Sequence, residues 1–307
     1  MTYRLPNTIG EITNKDRRSG GMWVKEFSMY MLWFEFLAIS PSYELARRYR
    51  SGEKLEDTLL PDDFDKVLSV YDDLGDVQKS LFPLWWKAVG LKHFGYQGTP
   101  ARVNRVGYAT HQTRETPDLS ANVNKYFEED WIEQGRQRTM LFAVPVGLSE
   151  AAISRQIKKH LARVKAERRK LVETVSKYPL VGKRNHKDVL MRYLRMVWIR
   201  SAMYRKSLWR AGAQAQISQT YSPVLDPKAD TLSDELRFDR DMMAIITSRA
   251  LLRGRMIAEN AARGRFPTHE KCPHALAFDF KELRRRIYRR NKWQVREVAR
   301  LKRTTTS

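Results

Sequence analysis

Residues 136–170 read RQRTMLFAVPVGLSEAAISRQIKKHLARVKAERRK, and the chain changes character along this stretch. The first part, residues 139–146, is apolar and rich in β-prone residue types, which predicts a strand. A turn and helix-cap signal, GLSE, follows at residues 147–150, because glycine permits a turn and a serine oxygen can accept a backbone hydrogen bond. The remainder predicts a polar helix with eight basic residues from Arg155 to Lys170 and one acid, Glu167. We therefore predict a strand, a turn and a basic helix that covers residues 149–170.

Formal charge divides the chain at the same place. Residues 1–135 contain 17 Lys and Arg against 20 Asp and Glu, a net charge of −3, whereas residues 136–307 contain 40 against 15, a net charge of +25. A positive field of this size attracts polyanions, so the second region predicts nucleic acid or an anionic membrane as its partner. The apolar fraction of 42%, with 8 Trp, 13 Tyr and 12 Phe, excludes a wholly disordered chain.

Cysteine usage and hydropathy indicate the compartment. The one cysteine, Cys272, excludes an internal disulfide framework and suits a reducing environment. The N-terminus lacks the apolar core of a signal peptide, and we expect no transmembrane segment because no run of about 18 apolar residues exists. The nearest candidate, Phe27 to Ile39, is short and is interrupted by Glu35. We expect a cytoplasmic protein, associated with the nucleoid if it is bacterial.

Apolar periodicity predicts a mostly α fold with a minor β element. Helices are expected at Trp23 to Ile39, after the cap Ser40-Pro41, and from Phe64 to Leu74, where Gly75 stops the helix. Further helices are predicted for 119–134, for Val189 to Ala211 with Gly212 as the stop, and for the stretch from Ser233 to near Gly264. Composition suggests a polar arm at 1–20, an acidic and aromatic helical domain at 21–135 and a basic region at 136–307. The second of these is a candidate for a protein partner or self-association.

The central basic helix supplies the first set of candidate contacts. Its apolar side can pack on the domain, whereas the bases cover the rest and can neutralise phosphates with release of counterions. An ordinary solvated face mixes charges of both signs, and this one does not. The predicted nucleic-acid-binding residues here are Arg155, Gln156, Lys158, Lys159, Arg163, Arg168 and Arg169.

The same stretch resembles a helix-turn-helix. A small residue, Ala143, precedes the turn at Gly147, and apolar anchors follow behind a helix that would read the major groove. Pro145 argues against this interpretation, because a proline inside the first helix of the motif costs about 3 kcal/mol. Strand-turn-helix is the interpretation that the residues favour.

The C-terminal helix, predicted for residues 280–303, is the second basic element. Arginine predominates, which suits bidentate contacts to phosphate and guanine. An interleaved Tyr288 and Trp293 could stack on bases, although such aromatics usually pack on the domain, and a basic amphipathic helix can also lie on a membrane. The predicted contact residues are Arg284, Arg285, Arg289, Arg290, Lys292 and Arg296.

Enzymatic patterns are poorly supported. His269, Cys272 and His274 lack a fourth ligand for a structural zinc site. His111 and Arg114 have the His-x-x-Arg spacing that is found in tyrosine recombinases, but the other positions cannot be assigned. Acidic clusters at 62–65 and 72–76 could hold Mg²⁺, although acids at a helix start explain the first cluster. Phosphate-loop, dinucleotide-binding and hydrolase signatures are absent. We predict no catalytic residue, no metal ligand and no cofactor.

These patterns together predict a non-enzymatic nucleic-acid-binding protein. Double-stranded DNA is favoured over RNA because of the helix-turn-helix resemblance, and the order of features suits an accessory or regulatory protein of a bacterial mobile element. One alternative is an RNA-binding structural component of a ribonucleoprotein. A second alternative is a DNA-processing enzyme, either a nuclease or a recombinase.

Overall fold

Helices dominate the computed structural model, which confirms the predicted mostly α fold. The residues that it describes are 18–19, 22–24, 27–97, 102–107, 119–134, 136, 139–163, 176–181, 186–229 and 234–305.

Backbone contacts separate the chain into two compact units. The first contains Val24–Phe94 and Ser176–Ser307, and the second contains Arg18–Trp23 and Gly95–Val175. This division differs from the boundary at residue 136 that the charge suggests. Segments from both sides of that boundary pack together in the first unit.

The first unit is built from helices that are distant in sequence. They are α1 (Phe27–Ile39), α2 (Pro41–Arg50), α3 (Phe64–Leu74), α4 (Phe82–Trp85), α5 (Leu91–Phe94), α9 (Lys187–Ala202), α10 (Leu208–Ala215), α11 (Arg237–Ala261) and α12 (Phe280–Thr305). A π-helical turn, Trp86–Gly90, joins α4 to α5, and short 3-10 turns lie at Asp57–Leu59 and Asp234–Leu236.

Aromatic side chains of α1 form the centre of this unit. Trp33 stacks on Phe266 with ring centroids 5.1 Å apart, and its indole nitrogen donates to the Ala261 carbonyl at 3.2 Å. Trp85 and Trp86 are buried in the same core, where their rings pack against other aromatic side chains. These contacts join the aromatic first third of the chain to its last third.

Two helix boundaries predicted from the sequence, the start of α2 and the end of α3, are confirmed. The Ser40 hydroxyl accepts from the Tyr43 amide at 3.2 Å, and Pro41 occupies the first position of α2. Gly75 has a φ of 69° at the end of α3, which the missing side chain makes accessible.

A buried carboxylate ties α2 to α11. Glu259 is 0% exposed and accepts from the Ser40 hydroxyl at 2.7 Å and from the Ser42 amide at 3.1 Å. Arg263, one turn later, binds it at 3.1 Å and forms a bidentate pair with Asp63, with both bonds at 2.8 Å. The charge on Glu259 is therefore satisfied inside the protein, as a buried ion requires.

The helix predicted from Val189 to Ala211 is wrong in its extent. The chain leaves the helix at Met203, turns through Ser207 and resumes as α10. Gly212, the predicted stop, lies inside α10 and is buried against α11. Glycine allows α10 and α11 to pack closely at this position, since a methyl group on Gly212 would lie 2.0 Å from Thr247 Oγ1.

The second unit contains a small antiparallel sheet. Its strands are β1 (Arg18–Ser19), β2 (Met22–Trp23) and β3 (Tyr96–Gln97), with β2 in the middle. The sequence predicts that Trp23 begins the first helix, but Trp23 lies in β2 and this prediction is wrong. The helices are α6 (Leu119–Lys125), α7 (Trp131–Glu133) and α8 (Glu150–Arg163), and a π-helical turn, Tyr126–Asp130, joins the first two.

The predicted strand at residues 139–146 is wrong. Residues 139–145 belong to no helix and no strand, and their side chains are exposed. A strand needs a neighbour for its backbone hydrogen bonds, and β propensity alone supplies none.

Candidate nucleic-acid interface

Local capping defines where α8 begins. The Ser149 hydroxyl accepts from the Ala152 amide at 3.3 Å, and the Ser149 carbonyl accepts from the Ile153 amide at 3.0 Å. The turn before it is closed by Leu148, whose amide donates to the Pro145 carbonyl at 3.2 Å. The predicted turn and helix cap are thus confirmed, with the helix described as Glu150–Arg163.

The two sides of α8 differ in chemistry. Ile153, Ile157 and Leu161 lie four residues apart and are half-buried. The predicted contact residues Arg155, Gln156, Lys158 and Lys159 are all exposed. Among the described residues, no carboxylate oxygen lies within ion-pair distance of the three bases in this group, so their charge faces solvent.

Part of the predicted set cannot be placed. Arg163 is the last residue of α8 that the structure describes, and only its backbone is described. Arg168 and Arg169 lie outside the described residues.

The helix-turn-helix interpretation is wrong for this stretch. Residues 139–145 form no helix where the first helix of the motif is required, and the Pro145 ring is incompatible with that helix. Phe142 instead packs near His160 of α8, with ring centroids 6.0 Å apart. The stretch is an irregular segment, a turn and a basic helix.

The second basic element, α12, begins at a side-chain cap. Asp279 Oδ1 accepts from the amides of Lys281 at 2.9 Å and Glu282 at 3.1 Å. From there the helix continues for 26 residues to Thr305. At about 1.5 Å per residue it spans ~39 Å.

Helical periodicity separates α12 into a buried and an exposed face. The buried side chains are Leu283, Arg286, Arg290 and Gln294. The exposed bases include every remaining predicted contact residue of this helix: Arg284, Arg285, Arg289, Lys292 and Arg296.

Arg290 is a correction to the predicted interface. Its guanidinium donates to both oxygens of Glu35 at 2.6 and 2.7 Å, and both side chains are buried. Arg290 is therefore an internal partner of α1 and is not available to an external anion. Arg286 is internal as well, because it donates to the Ile39 carbonyl at 2.8 Å, and burial lowers its pKa.

Ion pairs distinguish the exposed bases from one another. Glu282 lies 3.5 Å from Arg285 and 3.8 Å from Arg289, so one carboxylate serves both. Lys281, Arg284, Lys292 and Arg296 have no ion pair within the described part of the chain. The outer face of α12 is thus a row of cations with few counter-charges.

The acidic clusters form ion pairs rather than an open metal site. Asp63 binds Arg263 as above, and that hydrogen bond lowers the pKa of Asp63 below its ordinary value. Asp72 binds Arg50 with both oxygens, and Asp73 accepts from Lys177 at 2.5 Å. In the described ranges, no group of three His, Cys, Asp or Glu residues is arranged to hold a metal ion. His111 and Arg114 lie outside those ranges.

Sequence reasoning missed the role of the α1 carboxylate. Glu35 is the one charged residue of an apolar helix, and a buried carboxylate needs a cation. That residue is the signal from which a buried arginine elsewhere in the chain could have been predicted.

None of the helices in the described ranges combines the length and the hydropathy that a membrane span requires.

Comparison with known proteins assigns no relative. No family model, no curated protein and no solved structure matches this chain.

Proposed function

We propose that this protein binds double-stranded DNA through the exposed bases of α8 and α12. The observation that carries the proposal is the separation of charge on α12, where Arg286 and Arg290 are used internally and the outer bases face solvent. Such a surface favours a polyanion, because bound phosphates offset the mutual repulsion of the cations and release counterions.

Phosphate contacts account for the composition of both helices. Arg and Lys at successive turns can follow a backbone of regularly spaced charges without reading its sequence. The ~39 Å length of α12 is comparable with about one turn of duplex DNA, ~34–36 Å. The helix-turn-helix that favoured DNA over RNA is not formed, so the exposed bases support phosphate contact without sequence readout. The choice of duplex DNA rests on the length of α12.

The experiment that tests the proposal reverses the charge of two exposed bases of α8. We expect Arg155→Glu with Lys159→Glu to weaken binding to a duplex of about 20 base pairs by at least tenfold, because two phosphate contacts become repulsions. Lys54→Glu with Lys66→Glu is the matched control, since both lysines are exposed and lie in the acidic part of the chain. Circular dichroism and the melting temperature show that each variant is folded. Equal affinity for the α8 variant, the control and the wild type would remove α8 from the interface.

Competition identifies the nucleic acid. Unlabelled duplex DNA should displace the labelled duplex at lower concentration than structured RNA of equal length. Preferential displacement by RNA would contradict the DNA assignment and favour a ribonucleoprotein component.

Further predictions concern the localisation, the protein partner and the origin of this protein. We place the function in the cytoplasm, which the lone buried Cys272 supports because unpaired thiols suit reducing compartments. A protein partner for residues 21–135 and an origin in a bacterial mobile element stay predictions.

A further inference from the structure

The turn between α9 and α10 is fixed by an arginine. Arg200 donates through Nη1 to the Met203 carbonyl at 3.1 Å and to the Lys206 carbonyl at 2.6 Å. The same guanidinium lies 5.5 Å from the ring centroid of Phe280, the first residue of α12. The turn 203–207 is thereby held beside the start of the basic helix.

This turn presents an aromatic ring between cations. The guanidinium carbon of Arg205 lies 5.4 Å from the ring centroid of Tyr204, and that of Arg284, on α12, lies 5.7 Å from it. Tyr204 is half-buried, whereas Arg205, Arg284 and Lys206 are exposed. The ring is therefore anchored by packing while its cationic neighbours remain open to solvent.

The two acids at the start of α12, Asp279 and Glu282, are already engaged. Glu282 serves Arg285 and Arg289, and Asp279 caps α12. Arg205, Lys206 and Arg284 form no ion pair within the described residues. The Arg205 and Arg284 guanidinium groups at the Tyr204 ring repel each other, so an anion bound between them is favourable, and Lys206 follows Arg205 in the same turn.

The chemistry of the group fits a nucleotide better than phosphate alone. An aromatic ring and guanidinium planes offer flat surfaces on which a base can stack, and the cations can hold its phosphate. A base inside a duplex is already stacked on both sides, so the ring selects an unpaired one.

We propose that Tyr204, Arg205, Lys206 and Arg284 form a subsite for an unpaired nucleotide beside the duplex that α12 contacts. This inference rests on the proposed function, because Arg284 belongs to both surfaces. It adds that the protein prefers nucleic acid with a duplex next to a single-stranded segment.

The test compares two DNAs that share one duplex of about 20 base pairs. One is blunt, and the other carries about five unpaired nucleotides at one end, within the roughly 4–16 nucleotides of known single-strand sites. We expect the overhang to raise the affinity of the wild type by about fivefold or more, because one unpaired base can then stack on the Tyr204 ring. A 2-aminopurine in the overhang should change its fluorescence on binding.

Substitutions assign the gain to the ring. Tyr204→Ala should abolish both the gain and the fluorescence change, whereas Tyr204→Phe should keep them because the ring remains. Arg205→Ala with Lys206→Ala, at exposed positions, should reduce the gain even if Tyr204→Ala fails to fold. A gain that persists in Tyr204→Ala and in the double variant, or no gain in the wild type, would overturn the inference.

The outcomes separate the two proposals. Binding of the blunt duplex without an overhang effect would reject the subsite alone. Binding of the overhang DNA that depends on Tyr204, with no binding of the blunt duplex, would support the subsite and reject the duplex assignment. No binding to either DNA would reject both.

Discussion

The carboxylate of Glu35 in α1 accepts two hydrogen bonds from the guanidinium of Arg290 in α12, at 2.6 and 2.7 Å. Glu35 is 5% exposed and Arg290 is 7% exposed, so neither charge is well hydrated. Their mutual attraction offsets this loss of hydration. The Arg290 guanidinium also lies 5.2 Å from the Phe34 ring centroid. This pair fixes which face of α12 is turned inward, and hence which arginines remain outside.

Removing one partner of this pair should destabilise the fold. We expect Arg290→Met to lower the free energy of unfolding by about 3–5 kcal/mol, because it leaves the Glu35 carboxylate buried and unpaired. Glu35→Leu with Arg290→Met should recover most of the loss, since neither buried charge remains. Denaturant unfolding measures both variants. A double variant as unstable as the single one would contradict this explanation.

The outer face of α12 should behave in the opposite way. Lys292→Glu with Arg296→Glu should weaken duplex binding by at least tenfold while the melting temperature changes little, because both side chains are exposed and outside any described ion pair. The Glu35→Leu, Arg290→Met variant is the internal comparison, and its DNA affinity should equal that of the wild type. An affinity loss in that variant with the fold intact would return Arg290 to the interface.

Close packing at Gly212 gives a prediction about stability. A methyl group there would lie 2.0 Å from Thr247 Oγ1 and 2.8 Å from Met243 Sδ, so α10 and α11 would have to separate. Gly212→Ala should cost about 1–3 kcal/mol, although glycine to alanine within a helix usually stabilises. Gly147→Ala is the control, because no atom lies within 4 Å of the added carbon. Equal stability of the two variants in thermal unfolding would show that the helices are not packed this closely.

The pair of Asp63 and Arg263 predicts acid sensitivity. The hydrogen bond from Arg263 holds the pKa of Asp63 below its ordinary value, so the unfolded chain binds this proton more readily than the native protein. The stability contributed by Asp63 is present above its unfolded pKa and is lost as the pH falls through its lower folded pKa.

Substitution of Asp63 tests the sign of this effect. Asp63→Asn should be less stable at pH 7 by roughly 1–3 kcal/mol, and its stability should fall less steeply from pH 5 to pH 3. Asp65→Asn, at an exposed position nearby, should retain the steep profile. An Asp63→Asn profile parallel to the wild type would exclude this carboxylate as a source of acid sensitivity.

Features set by neighbouring residues could be predicted from the sequence. The Ser40 cap and the Gly75 stop depend on local backbone geometry. The α8 cap at Ser149 belongs to the same class.

Features set by distant partners could not be predicted in this way. Arg290 looks like every other base of its helix until Glu35 is found opposite it, 255 positions away in the chain. In the continuous helix that the sequence predicts from Val189, Tyr204 would lie on the apolar face. The observed helix ends at Ala202, and Tyr204 lies in the following turn beside Arg284. The strand predicted at 139–146 failed for the same reason, because pairing depends on a neighbour that propensity does not supply.

The salt dependence of duplex binding tests the central claim most directly. Affinity for one labelled duplex would be measured from about 50 to 200 mM salt, where each phosphate contact contributes about −0.9 to the slope of log affinity against log salt. We predict a slope of about −4 or steeper in the wild type, shallower by about 2 in Lys292→Ala with Arg296→Ala. A slope near zero, or an identical slope in that variant, would contradict phosphate binding by α12.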